Sequence, residues 1–290
     1  MRTLPLGDTG TRITAIGFGG MALSVKGRPD EHESVEVLHA SLDAGVNFID
    51  TADVYCLDDN DIGHNERLIA SVLRERPDRD EIHVATKGGL RRPGGEWTND
   101  ASPEHLREAC ERSLEALGTD EIFLYQLHAP DPRVPFEESV GALAELRQQG
   151  KIRHVGLSNV SVDQIDTAVK IVPVVSVQNR LNPFFREALE EGVVQACDER
   201  GITFLAYSPV GGGRLAKKVP AVPVLREIGD RRGVSPHAVV LAWVRSQGST
   251  VVPIPAASRI SSALDSAAAE ELDLPAQDLE RIDEAHFSRA

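Results

Sequence analysis

Short, almost continuously apolar runs recur along the chain at Ile13–Gly20, Val46–Asp53, Ile82–Gly88, Ile122–His128, His154–Asn159, Val174–Asn179, Thr203–Pro209 and Thr250–Pro255. Their length and their Val and Ile content fit strands covered on both faces. Between them the apolar period becomes helical. Val35, Leu38 and Leu42 share one face before Gly45, and Leu68, Ile69, Val72 and Leu73 share another before Pro77. Ser102-Pro103-Glu104 reads as an N-cap, a first-turn proline and a first-turn acid, followed by Leu106, Cys110, Ser113, Leu114 and Leu117 and a stop at Gly118. Ser161 to Gln164 reads as a capping box. Ser235-Pro236 and Pro275 open two further helices, carrying Val239, Val240 and Trp243 in the first and Leu279 and Ile282 in the second.

Strand–helix alternation of this kind predicts a parallel sheet with right-handed crossovers, and eight units are the number that closes a (β/α)8 TIM barrel. No Pro/Gly/Ser linker or shift in composition interrupts the pattern, so residues 1–290 read as one barrel domain. Gly7-Asp8 and Gly10 signal an N-terminal β-hairpin, expected across the barrel floor. A Rossmann fold competes, because Gly17, Gly19 and Ala22 match the dinucleotide glycine pattern after a strand. That pattern should open a helix at once, yet Leu23–Asp30 holds Gly27 and Pro29 and reads as loop. Asp50 also lies farther along than the expected gap of about 20 residues.

Composition narrows the function. With 31 Lys and Arg against 45 Asp and Glu, the net charge is −14. This argues against nucleic-acid or anionic-membrane partners, both of which select basic faces. Cys56, Cys110 and Cys197 are widely spaced and form no CxxC or Cys/His cluster, so no metal site is expected. Reduced thiols and an N-terminus lacking a signal-peptide h-region lead to the expectation of a cytoplasmic protein, and the acidic surface is compatible with a monomer.

In a barrel the active site lies at the carboxyl ends of the strands. Read in order, those ends carry Asp50, Thr51, Asp53 and Tyr55, then Lys87, His128, Ser158 and Asn159, Gln178 and Asn179, and Tyr207 and Ser208. Any one of these could be an idle loop residue. Convergence of four ionisable groups from three neighbouring strands on one mouth is what suggests chemistry. A cation beside Tyr55 would pull down the phenol's pKa of about 10. Lys87 is placed to do so, with Asp50 to hold it charged and His128 to donate a hydrogen bond to a substrate oxygen. The set suits proton delivery to a carbonyl oxygen as it becomes an alkoxide.

The segments that carry these residues resemble the aldo-keto reductase family. Val46–Tyr55 (VNFIDTADVY) is similar to the signature around that family's catalytic Asp and Tyr. Ala85-Thr86-Lys87 is similar to the segment with its Lys, Ile122–His128 (IFLYQLH) to the segment with its His, and Lys151–Asn159 (KIRHVGLSN) to a further signature. The resemblance spans nearly the whole chain, with four motifs in order. It implies an NADPH-dependent reductase of aldehydes and ketones, with Tyr55 as general acid, Lys87 and Asp50 as its tuning pair and His128 orienting the carbonyl.

It also implies where the cofactor lies. Gly20, Met21 and Asp50 would border it, Ser158, Asn159 and Gln178 would hold the carboxamide, and Tyr207 would stack on the nicotinamide. The loop from Ser208, Pro209 and Val210 through Gly212 to Leu215 would cover the pyrophosphate. Ile254, Ala256, Ser258, Arg259, Ser262, Asp265 and Ser266 would grip the adenosine end. The chain departs from the family there, with Asp265-Ser266 where Glu-Asn is usual and Ala256 where Gly or Lys is common. Arg259 could pair with a 2′-phosphate, which favours NADPH, with NADH as the other candidate. Phe18, Met21, Trp97 and Val134 are the apolar candidates for the substrate pocket beside Tyr55 and His128. Trp97 sits in a Gly/Pro-rich loop, where an aromatic suggests function. The acidic stretch from Cys56 to Asn65 reads as a solvated loop, and Cys56 as packing. The alternative reading is a nicotinamide-binding regulatory or partner protein with little turnover.

Overall fold

Eight parallel strands occupy the positions of the eight apolar runs in the computed structural model, which describes residues 1–289. Strands β1 (Thr3–Pro5) and β2 (Arg12–Thr14) form an antiparallel hairpin. The barrel strands are β3 (Phe18–Gly19), β4 (Phe48–Asp50) and β5 (His83–Gly88). A short antiparallel ribbon follows, β6 (Leu90–Arg91) with β7 (Thr98–Asn99). Strands β8 (Ile122–Leu127), β9 (Ile152–Ser158), β10 (Val174–Arg180), β11 (Thr203–Tyr207) and β12 (Val251–Ile254) complete the barrel. Neighbours pair in the order β3-β4-β5-β8-β9-β10-β11-β12. The ring closes where Gly17 and Gly19 donate their backbone N–H groups to the carbonyls of Pro253 and Pro255, and Gly19 bridges Ala256 in parallel.

The helices begin where the chain offers caps. Ser102 accepts from His105 N at the start of Pro103–Leu117, which ends at Gly118 in the left-handed conformation (φ 66°). Ser161 and Gln164 form the reciprocal box that opens Val162–Ala168, and Ser235 caps Pro236–Arg245. A second box, Asp30 with Glu33, opens Glu31–Asp43. That helix buries Val37, Leu38 and Leu42, with Val35 only half-buried, so its inner face is turned slightly from the one the sequence suggests.

Strand alternation then sorts the barrel into layers. Phe48, Ala85, Leu124, Leu205, Val252 and Ile254 point inward and pack together. Ile49, Leu157, Phe204 and Ala206 point outward against the helices. Leu6 and Ile13 of the hairpin join the interior cluster from below, both fully buried. Thr203 fixes the hairpin in place, accepting from Gly7 N (2.9 Å) and donating to Pro5 O (3.1 Å). The hairpin therefore plugs the amino-terminal end of the barrel.

One boundary differs from the sequence reading. The run Ile13–Gly20 is not one strand. Ile13 belongs to the hairpin, where its side chain fills the floor, and the barrel strand is only Phe18–Gly19. Thr14 makes the break by donating its hydroxyl to Ile16 O, while its N–H goes to Asn47 Oδ1. The glycines that follow lead into a 3-10 turn, Gly20–Leu23, and into no dinucleotide-binding helix.

If the hairpin is the floor plug, truncating Leu6 to Ala should lower stability by about 2–5 kcal/mol, the usual cost for a filled core site. The check is the urea midpoint, with unchanged far-UV circular dichroism. A loss under about 0.5 kcal/mol, typical of surface changes, would mean the plug is not load-carrying.

Candidate active site

The alternation that sends Phe48, Ala85 and Leu124 inward also sends inward the residues two places farther along, Asp50, Lys87 and Gln126. The apolar layer thus gives way to a polar one at the carboxyl ends. Lys87 has no exposed surface. Its Nζ donates to Asp50 Oδ2 (2.6 Å), Thr51 O (2.8 Å) and Tyr55 Oη (3.0 Å). All three ammonium protons have acceptors, the condition for a buried amine to stay charged. Asp50 Oδ1 accepts from Gln126 Nε2 (3.1 Å) and Gln178 Nε2 (2.7 Å). Gly156 makes room for this layer, since a Cβ there would lie 2.4 Å from Ser176 Oγ and 2.8 Å from Gln126 Cγ.

Proton affinities follow from burial and neighbours. Burial pulls Lys87 down, but Asp50 and Tyr55 together outweigh it and hold its pKa above that of a free amine. Burial pushes the Tyr55 phenol up, and Lys87 only partly offsets this, so its pKa is raised. This corrects the simple expectation of a net lowering: in the free protein desolvation wins over the cation. Burial, reinforced by the Lys87 charge, holds His128 well below an ordinary histidine, so its ring is neutral at pH 7. His128 meets the Tyr55 ring edge-on at 5.8 Å. Its Nδ1 is enclosed without a partner, which leaves Nε2 as the nitrogen at the mouth.

Most of the residues expected around a cofactor lie at or beyond the ends of β9, β10, β11 and β12. Ser158 ends β9, and Asn159 follows in the left-handed region (φ 58°). Asn159 donates to His128 O (2.9 Å) and Ser158 Oγ (3.1 Å) and accepts from Tyr207 Oη (2.8 Å). Gln178 is close by, but its amide nitrogen is committed to Asp50. Ser208 is also left-handed (φ 49°), and its carbonyl accepts from Asn182. Pro209 and Val210 continue into Gly211, Gly212 and Gly213, all with positive φ, and then into the short helix that buries Leu215. Ile254 ends β12, and Ala256 abuts Gly19. Ser258 and Arg259 are exposed at the start of helix Ile260–Ala268, which also carries the half-buried Ser262, Asp265 and Ser266. Asp265 accepts from the Ser235 hydroxyl (2.6 Å), so part of its carboxylate serves a neighbouring helix cap.

Not every candidate reaches the mouth. Phe18 is buried and packs outward with Leu23, Val37, Leu38 and Ile69, in the layer between barrel and helices. A two-residue strand leaves Phe18 on the outer face, which excludes it from the substrate pocket. Met21 and Trp97 are exposed, at 38% and 47%, and Trp97 meets the Tyr55 ring edge-on at 6.5 Å. Cys56 is buried, its thiol donates to Val54 O, and burial pushes its pKa up to about 11, so it is packing.

Three residues escaped the sequence reading. Gln126 lies two before His128, and strand alternation alone would have found it. Asn65, fully buried, accepts from Thr51 Oγ1 (2.6 Å) and donates to Gly20 O (2.9 Å) and Ser24 Oγ (2.7 Å), tying the Gly20 turn to the catalytic strand. Arg92 is buried behind Trp97, with Cζ 3.9 Å from the indole centroid. The last two act across loops, where no periodicity points to them.

Comparison with known proteins agrees with this geometry. The profile of the Aldo/keto reductase family matches residues 15–286. An uncharacterized oxidoreductase of Schizosaccharomyces pombe is 34% identical over 97% of this chain and 89% of its own. A probable aldo-keto reductase of Glycine max is 32% identical over 98% of this chain and 89% of its own. Among solved structures, an aldo/keto reductase from Klebsiella pneumoniae in complex with NADP and acetate superposes with a TM-score of 0.81 at 26% identity, over 97% of this chain and 94% of that one. Nearly full-length agreement in sequence and in the barrel places the chain in the aldo/keto reductase family.

Proposed function

We propose that this protein is an NADPH-dependent oxidoreductase that reduces aldehyde or ketone carbonyls to alcohols, with Tyr55 as the general acid. The observation that carries the reading is the buried amine of Lys87, in contact with both Asp50 (2.6 Å) and the Tyr55 hydroxyl (3.0 Å).

The residues present suit a nicotinamide dinucleotide. Hydroxyl and amide groups of Ser158, Asn159 and Gln178 and the half-exposed ring of Tyr207 stand side by side at the ends of β9, β10 and β11. Gln178 would offer its carbonyl oxygen, since its nitrogen serves Asp50. The Gly211–Gly213 turn presents backbone unobstructed by side chains, as close approach to a pyrophosphate needs. An exposed guanidinium, Arg259, stands at the start of helix Ile260–Ala268, where the adenosine end would lie. The relative from Klebsiella pneumoniae was crystallised with NADP. When bound, NADPH supplies the hydride.

The chain's own residues supply the proton and its control. Tyr55 is fully protonated at pH 7 and its hydroxyl stands at the mouth, ready to give its proton to a carbonyl oxygen. The phenolate left behind would be met by Lys87 Nζ, which already donates to that oxygen. Asp50 keeps Lys87 charged, and Gln126 and Gln178 keep Asp50 in place. Neutral His128 offers an N–H to the same carbonyl oxygen without bringing a second charge to the pocket. The reading extends to a cytoplasmic monomer acting on small carbonyls, supported by three free, buried cysteines and the acidic net charge. No observation favours a non-catalytic nicotinamide-binding partner.

Tyr55→Phe should cut kcat by about 10²–10⁴, the range for a lost general acid, with NADPH binding, followed by protein fluorescence quenching, retained. Normal turnover would remove Tyr55 from its role. Arg259→Ala should raise KM for NADPH about ten- to hundredfold, as for loss of a charge-assisted phosphate pair of about 1.5–3 kcal/mol, and leave KM for NADH unchanged. Equal changes for both cofactors would break the assignment of the 2′-phosphate. The depressed pKa of His128 also sets a pH dependence. Its contribution to stability is complete above the unfolded value of about 6.5 and is lost as pH falls toward the lower folded value, by up to about 1.4 kcal/mol per pH unit. His64, His83, His105 and His154 are shifted down as well and share the slope. His128→Gln should therefore lose less of its urea midpoint between pH 7 and pH 5 than the parent, and an identical loss would show that His128 does not fold neutral.

A further inference from the structure

We propose that Arg92 is a positioning residue for the substrate pocket: it holds the indole of Trp97 against Tyr55 and thereby favours planar aromatic carbonyls over aliphatic ones. This rests on the reductase reading above and goes beyond it by naming what sets the substrate class.

Arg92 is only 5% exposed, although the loop around it is open to solvent. Its Nη2 donates to Cys56 O (3.1 Å) and Leu57 O (2.9 Å), the two carbonyls directly after Tyr55. Its Nε and Nη1 are buried and make no hydrogen bond. What covers the guanidinium is the indole of Trp97, 3.9 Å from Cζ to the ring centroid. A desolvated guanidinium on a tryptophan face is the strong form of a cation–π contact. The stack therefore fixes a side chain that is itself 47% exposed and would otherwise be free to rotate.

The fixed ring is part of the pocket wall. Trp97 meets Tyr55 at 6.5 Å with planes 73° apart, and Tyr55 meets His128 at 5.8 Å with planes 81° apart. The acid is thus flanked by two rings, each steeply inclined to its own. One face of Trp97 is backed by Arg92, which leaves the ring's remaining surface to solvent and to substrate. A flat conjugated carbonyl gains ring–ring contact with such a wall, whereas an alkyl chain gains only buried area. The Trp97 loop has anchors independent of the stack: Gly94 N donates to Asp59 Oδ1 (3.4 Å) in the loop after Tyr55, and Asn99 donates to Pro130 O (2.8 Å). Loss of the guanidinium should then free Trp97 without unfolding the loop.

The test compares the parent with Arg92→Met, Arg92→Lys, Trp97→Ala and the double variant Arg92→Met/Trp97→Ala. Two readouts are used: the ratio of kcat/KM for benzaldehyde to that for butanal with NADPH, and acrylamide quenching of tryptophan emission. The other tryptophan, Trp243, is fully buried, so quenching reports Trp97. Trp97→Ala should lower the ratio about two- to tenfold, the worth of an aromatic pair. Arg92→Met should lower it by a similar factor, mainly through KM for benzaldehyde, and raise the quenching constant about twofold through the unbacked ring. The double variant should match Trp97→Ala alone. An unchanged ratio and quenching in Arg92→Met, or effects that multiply in the double variant, would overturn the proposal and leave Arg92 a loop staple. Should Arg92→Met fail to fold, Arg92→Lys, which keeps a donor for the Leu57 carbonyl but not the planar stack, decides by the same two readouts. A parent that oxidises no NADPH with any carbonyl would defeat the reductase reading, and the quenching arm would still decide whether Arg92 fixes Trp97.

Discussion

An ammonium group inside a barrel must be neutralised and hydrogen-bonded on the spot, and the upper half of this molecule is arranged around that requirement. Lys87 finds a carboxylate, a backbone carbonyl and a phenol, one for each proton. The carboxylate needs partners in turn and takes two side-chain amides, Gln126 and Gln178. Removing one member of such a pair typically costs about 3–5 kcal/mol, because the other is left charged and unpaired. The burial is therefore a liability for folding that is retained because the same low-dielectric setting gives the Lys87–Tyr55 contact its strength.

The loops outside the barrel repeat the principle on a smaller scale. Asn65 uses one buried amide to connect Thr51, the Gly20 turn and Ser24. Arg92 uses one guanidinium to connect the carbonyls after Tyr55 to an indole. In both, a single polar side chain ties the residues next to Asp50 or Tyr55 to a segment well removed in sequence. The reacting groups sit on strands, and the walls around them are held from the loops.

Much of this was readable in the sequence because alternation and capping are local. The eight strands, the Ser102, Ser161 and Ser235 caps and the gathering of Asp50, Tyr55, Lys87 and His128 follow from short-range pattern plus barrel geometry. Phe18 was misplaced because the first apolar run hides a turn at Thr14, whose hydroxyl bond to Ile16 O has no periodic signature. The net direction of the Tyr55 shift is not legible in the sequence, because the cation is visible there and the depth of burial is not. Arg92 and Asn65 are not legible in this way because the distant segments they tie down, Cys56-Leu57 and Gly20 with Ser24, lie about 35 to 45 residues away across loops.

The seam of the barrel has a consequence for how the chain reaches this state. Along it β3 donates and the last strand accepts, and the acceptors belong to Pro253 and Pro255, which have no N–H to give. Until the first strand docks, the final one is an open edge, the sort of surface on which nascent chains pair with one another. Alternating prolines strip that edge of half its ladder. The residues that seal the ring thus also discourage intermolecular association during the interval before it is sealed.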